Sequence, residues 1–178
     1  MKKLLFALTA AFFFTACTDN TSETSQPDDV PGSGQSAVVD EVSNPNLIQV
    51  ASKSPDFTTL VTAVKTAGLV DALSNAGPFT VFAPTNAAFD KLPAGTVEGL
   101  LQPEKKDELT NILGYHTYVG VLDGVLLRDG VDYDMVFGGK IRITQKGDKN
   151  YVNGSEILST VKTSNGVIHV INDVLLPK

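Results

Sequence analysis

The chain has 178 residues, 42% of them apolar, and a formal net charge of -6, which gives it the length and apolar content for one domain with its own core. Six acidic residues (Asp19, Glu23, Asp28, Asp29, Asp40 and Glu41) precede Asn46 with no basic residue among them. Nothing builds the basic stripe that phosphate neutralisation requires, so nucleic-acid binding and broad electrostatic attachment to anionic lipid are excluded.

The N-terminus reads as an address. Lys2 and Lys3 are followed by an uncharged apolar run of about 11 residues, 4–14, half the roughly 20 needed to span a bilayer as a helix. This matches the apolar region of a secretory signal. Thr15, Ala16 and then Cys17 follow, an arrangement that resembles a bacterial lipoprotein signal, although Phe14 stands where leucine is usual. The resemblance implies a signal peptide over residues 1–16 and lipidation at Cys17. A cleaved secretory signal with Cys17 left as a free thiol is the alternative. Cys17 is the only cysteine, so no intrachain disulfide supports the fold. Residues 17–45 are rich in Ser, Thr, Asp, Pro and Gly, a composition that buries too little surface to offset chain entropy. As a coil such a linker spans roughly 30 Å, and at most about 95 Å stretched.

The domain occupies residues 46–178. A short helix is expected over 46–52, with Leu47, Val50 and Ala51 inward. Ser54 or Asp56 caps a longer helix over 57–66, whose Phe57, Leu60, Val61 and Val64 form one apolar stripe ended by Gly68. One or two further turns cover 69–74. Residues 79–83, FTVFA, are aromatic and β-branched enough for a buried strand, which Pro84 ends. Thr85 or Asn86 caps the short helix that follows, with Ala87, Ala88, Phe89 and Leu92 on its apolar face. A helix over 96–101 and another over 104–113 come next, the latter opened by Pro103 and turning Leu109, Ile112 and Leu113 inward.

From Tyr115 the period changes to two. Strands are expected over 115–119, 132–136, 140–144, 151–153, 157–162 and 166–172, punctuated by Gly138-Gly139, Gly147-Asp148, Asn153-Gly154 and Ser164-Asn165-Gly166. Helices first and strands mostly later make an α+β domain.

Three motifs carry a resemblance. TVFAPTNAAFDKL (residues 80–92), the Tyr115-His116 pair and NGVIHVINDVLLP (165–177) occur in the order found in the fasciclin family of extracellular adhesion domains, and the chain from about Asn46 onward resembles that family. The resemblance implies a fasciclin-like wedge of two β-sheets with helices packed along one side, the FTVFA strand deep within it. It also implies that Tyr115 and His116 lie near a segment linked to recognition of cell-surface receptors. The alternative for His116 is a buried histidine joining helix and sheet by hydrogen bonds. His169, mid-strand among apolar neighbours, reads as structural.

Catalytic and metal chemistry find little footing. The two histidines have no second His or Cys at ligand spacing, so no metal site and no cofactor is expected. There is no G-x-S-x-G elbow to expose a serine nucleophile, and no phosphate loop. Asp129, Asp132 and Asp134 form an acidic turn lacking the glycine and glutamate of a calcium loop. Asn153-Gly154-Ser155 fits a glycosylation sequon but reads as a hairpin turn.

The reading is therefore a module that binds rather than catalyses, anchored to membrane lipid through Cys17 in the cell envelope, at the outer membrane or cell surface. Its partner would be a protein or glycan. The alternatives are a small-molecule carrier or sensor with a cleft between sheet and helices, and a hydrolase that would have to use His116.

Overall fold

The structure is a computed structural model and describes residues 44–177. The expected signal peptide over residues 1–16, the expected lipidation at Cys17 and almost all of the expected 17–45 linker lie outside the described residues.

Helix α1 (Leu47–Lys53) begins with a reciprocal cap: the Asn46 side chain accepts from the Gln49 N–H, and the Gln49 side chain accepts from the Asn46 N–H. Ser54 opens a short 3₁₀ turn, Pro55–Phe57, that runs directly into α2 (Thr58–Ala67). Gly68, left-handed at φ 75°, closes α2 by donating its N–H to Lys65 and Val64 carbonyls. Helix α3 (Val70–Ser74) leads into strand β1 (Phe79–Pro84), followed by α4 (Asn86–Phe89), α5 (Thr96–Leu100) and α6 (Lys106–Tyr115).

The remaining strands are β2 (Thr117–Val119), β3 (Asp132–Asp134), β4 (Lys140–Lys146), β5 (Lys149–Val152), β6 (Ser155–Thr163) and β7 (Gly166–Ile171). Their spatial order is β2-β1-β7-β6-β5-β4-β3. The two-sheet wedge thus takes the form of one unbroken order of seven strands. Strand β6 serves both halves: Ser155 and Glu156 pair with β5, the rest with β7, and a register shift at Ile157/Ser159 separates the two. Such a bulge bends a strand and lets it pass from one leaf to the other. The two ends of the order approach each other, because the Val136 N–H donates to the Thr117 carbonyl at 3.0 Å and Tyr118 meets Tyr133 edge-on at 5.7 Å. The result is nearly a barrel.

β1 lies between β2, antiparallel, and β7, parallel, with Phe82 opposite His169. It divides the interior in two. Ala83 joins Leu60, Val64, Leu109, Leu113, Ile168 and Val170 beneath the helices. Phe82 joins Tyr115, Ile141, Ile143, Val152, Ile171 and Leu175 inside the curl of the sheet. A parallel pair covered on both faces is mostly apolar, which is why FTVFA shows no regular polar alternation, with Thr80 and His169 buried among its apolar residues.

Two expectations are corrected in detail. Thr85 occupies the N-cap position of α4 but makes no side-chain cap bond. Asn86 instead caps another helix: its Oδ1 accepts from the Thr59 N–H at 3.1 Å and from the Thr58 hydroxyl, while its Nδ2 donates to the Pro55 carbonyl at 2.9 Å. In α4 itself only Ala88 is fully buried, and Ala87 is exposed.

Candidate functional site

The Tyr115-His116 pair sits at the end of α6, two residues further into helix than the period-two pattern placed it. The physical reason lies in the last carbonyls of the helix, which would otherwise lack partners. His116 Nδ1–H donates to the Ile112 carbonyl at 2.8 Å, and the Thr117 hydroxyl donates to the Leu113 carbonyl at 3.0 Å. These side chains hold the final turn in place of a glycine stop.

The structure brings the two residues together in sequence but sends their side chains to different places. His116 is 2% exposed, and its Nε2 accepts the Leu175 N–H at 2.9 Å, which assigns the ring proton to Nδ1. Burial pushes its pKa down from the ordinary 6.5 to about 4, against the opposing pull of the Ile112 carbonyl, so the ring is neutral. Tyr115 is 4% exposed. Its hydroxyl donates to the Lys140 carbonyl at 2.8 Å and accepts from Asn153 Nδ2 at 3.1 Å.

Tyr115 is nevertheless the floor of a surface cleft of about 430 Å³, bordered by Phe137, Gly139, Arg142, Asp132 and Asn153. Two glycine contacts shape it. A Cβ built at Gly139 would fall 2.6 Å from the Tyr115 ring, so the Gly138-Gly139 loop can lie against the aromatic face only without side chains. A Cβ at Gly114 would fall 1.5 Å from the ring of Phe137, which rests on the helix backbone while remaining half exposed. Across the cleft, Arg142 holds Asp132 by two bonds, 2.6 and 2.9 Å, and keeps that carboxyl below the usual carboxylate range. Both partners stay accessible to solvent, so the pair contributes little stability and is open to exchange with a ligand. The sequence singled out Tyr115 but not Phe137, Arg142, Asp132 or Asn153 as neighbours of one site. Their signal is the β3–β4 register, which places Asp132 opposite Arg142 and is invisible to local pattern.

Other candidates are accounted for by pairing. His169 is fully buried and stacks on Phe82 at 5.3 Å. Its Nε2–H donates to the Leu122 carbonyl at 2.6 Å, its Nδ1 accepts from the Thr160 hydroxyl at 2.9 Å, and burial lowers its pKa. With all four ring nitrogens of the two histidines engaged, neither ring is placed to take a proton from a nucleophile in a cleft. Asp129 accepts from the Gln145 N–H and Asp134 faces Lys140 at 3.5 Å. Among the described residues no group of three or more His, Cys, Asp or Glu is arranged to hold a metal ion. Asn153, at φ 49°, makes the hairpin turn with Gly154, and its Oδ1 accepts from the Arg142 N–H. Leu175 is buried, whereas Leu176 is 52% exposed. One apolar gap between sheet and helices, lined by Leu47, Leu60, Val64, Ala83 and Ile168, holds only about 30 Å³ of free space.

A family model described as Fasciclin domain matches residues 55–177. Protein sll1483 of Synechocystis sp. is 47% identical over 147 residues, covering 80% of this chain and 81% of that protein. The cell surface glycolipoprotein MPB83 of Mycobacterium bovis is 36% identical over 132 residues, 71% of this chain and 58% of that protein. Among solved structures, a FAS1 domain pair from the insect cell adhesion molecule fasciclin I aligns with a TM-score of 0.65 at 18% identity, covering 74% of this chain and 51% of that one. At that identity the likeness concerns the fold.

Proposed function

The chain belongs to the fasciclin domain family, and from that premise we propose that it is a non-catalytic adhesion or binding module that recognises a protein or glycan in the cell envelope. The observation that carries this reading is the cleft beside Tyr115. A half-exposed aromatic, Phe137, rests against Gly114 at the rim of a polar depression that offers Arg142, Asp132 and Asn153. An exposed aromatic beside a solvated guanidinium is the usual physical equipment of a recognition surface. Tyr115 and His116 act in this reading from below: Tyr115 floors the cleft and His116 fixes the end of α6, so both shape the surface without touching the partner.

Lipid attachment through Cys17 completes the proposal. Among the described residues no helix is long and apolar enough to cross a membrane; the attachment proposed is through acyl chains on Cys17. The printed description of MPB83 as a cell surface glycolipoprotein supports that placement by analogy.

The test is site-specific crosslinking on intact cells, with a photoreactive amino acid at position 137 and, as control, at exposed position 53. A discrete adduct from 137 that the Arg142→Ala change removes supports the reading. Identical adduct patterns from both positions, or none from 137, would overturn it. The anchor is tested separately by mass spectrometry of the mature N-terminus, where diacylated or triacylated Cys17 is expected and an unmodified start would remove it.

A further inference from the structure

A second space among the described residues, apolar in its lining, reaches His116. It has a volume of about 260 Å³ and is walled by α2, α4, α5, α6 and the C-terminal strap at Val174 and Leu176. None of its lining residues is charged. Its polar members are Thr59, Thr96 and His116, and both His116 nitrogens are already bonded elsewhere. We propose that this cavity is a binding site for a hydrocarbon chain, the acyl tail of a lipid, which enters beneath α5.

Three observations converge on it. Size comes first: protein interiors hold few voids larger than a water molecule, and an apolar cavity of about 150 Å³ already stays dry and accepts a benzene-sized guest. The second is helix α5. Val97, Leu100 and Leu101 fall at i, i+3 and i+4, the spacing of a core-facing stripe, yet no residue of α5 is fully buried. Leu100 and Leu101 reach the helical core, while Val97 packs on neither core cluster and borders the empty space. The third is that the walls cannot close by themselves. Asn86 ties α4 to the start of α2 through the Thr59 N–H and the Pro55 carbonyl. His116 ties α6 to Leu175. A cavity whose frame is pinned in this way does not relax, and its cost persists until something fills it.

α5 differs from the rest of the frame. Among the described residues no side-chain hydrogen bond joins it to another element. It starts at Gly95, left-handed at φ 82°, and carries Gly99, beside which an added Cβ would meet open space. Glycine within so short a helix weakens it, so α5 is the wall that moves to admit a chain. The exposed Pro93 and Leu176 mark the mouth, where a headgroup would remain in water. This site does not depend on the adhesion reading, and either can fail without the other.

The experiment titrates the intact domain with the apolar fluorophore N-phenyl-1-naphthylamine and then displaces it with dodecane or dodecanoate. Saturable one-to-one binding, displaced by both, is expected, with Overhauser contacts from dodecanoate to the methyl groups of Leu109 and Ile112. Val97→Trp should fill the space and weaken binding at least about tenfold, the loss of roughly two buried methylenes, while the melting temperature stays or rises. Should that variant fail to fold, Ala63→Leu fills the cavity from the α2 wall and serves the same purpose. Absence of saturation, displacement by dodecanoate alone, contacts only to methyl groups outside the cavity lining, or undiminished affinity in a folded filled variant would each overturn the proposal.

Discussion

The Nε2 of His116 accepts the backbone N–H of Leu175 at 2.9 Å across 59 residues of sequence, so the end of α6 and the chain's last apolar segment are joined by a neutral imidazole. Protonation would place a second donor against the Leu175 N–H. Folded His116 has its pKa at about 4, whereas the unfolded ring titrates near 6.5. Between those values the unfolded chain binds a proton that the native chain refuses, so stability falls as pH drops from 6.5 towards 4. The loss is of the order of about 3 kcal/mol, with His169 shifted in the same direction. Denaturant titrations should therefore give a plateau above pH 7 and a decline below about 6.5. His116→Gln, less stable at pH 7, should show a shallower decline; an unchanged slope would acquit His116.

Phe82 is fully buried between β2 and β7 and stacks on His169. Phe82→Ala removes an aromatic from the centre of the curled sheet, where neighbours on both strands are fixed by ladder bonds. A destabilisation of about 3–5 kcal/mol is expected in the same titration. A loss below about 1 kcal/mol would mean that the sheet can collapse into the space.

Asn165 shows the same economy in the turn before β7. Its Nδ2 donates to the Leu73 and Asn75 carbonyls, and its Oδ1 accepts the Leu47 N–H at 2.9 Å, joining α1, α3 and the β6–β7 turn. Asn165→Asp keeps the acceptor and loses both donations, leaving two carbonyls facing a carboxylate. About 2–3 kcal/mol should be lost, more than for a single neutral hydrogen bond. Comparison with Asn165→Ala separates the donor contribution from the acceptor contribution.

These joints explain what the sequence could and could not reveal. The strand FTVFA and the alternation of Ile141 and Ile143 with Arg142 and Thr144 were legible because burial leaves a local apolar trace, and both isoleucines are indeed fully buried. The end of α6 was misplaced because His116 and Thr117 extend the helix by side-chain bonds that no periodicity records. The division of the interior into two cores was hidden because β1 and β7 bury residues on both faces. The Tyr115 cleft gathers Asp132, Phe137, Arg142 and Asn153 through strand register and two glycine contacts, neither of which is a local pattern.

Asn86 is a further case of long-range capping. Its side chain satisfies the Thr59 N–H at the start of α2 from 27 residues away. Asn86→Ala should cost about 1 kcal/mol, the usual value of a lost cap, although α4 keeps its own backbone geometry. Amide exchange locates the effect: Thr59 should lose protection while Ala88 and Phe89 keep theirs. Faster exchange confined to α4 would show that Asn86 caps its own helix instead.

Gly166 and Gly114 make a controlled comparison. A Cβ at Gly166 would lie 2.0 Å from the Phe79 carbonyl oxygen, which is backbone in the parallel partner strand. The atoms a Cβ at Gly114 would meet first all belong to the side chain of Phe137. A backbone atom cannot rotate away, so Gly166→Ala must push β1 and β7 apart at their first pair, at a cost of about 3 kcal/mol or more. Gly114→Ala instead drives the Phe137 ring off the helix. It should cost about 1 kcal/mol while abolishing the crosslink from position 137, because the anchor loses its seat on the helix. Equal destabilisation by the two changes, or an intact crosslink in a folded Gly114→Ala protein, would show that the seat of Phe137 does not organise the recognition surface.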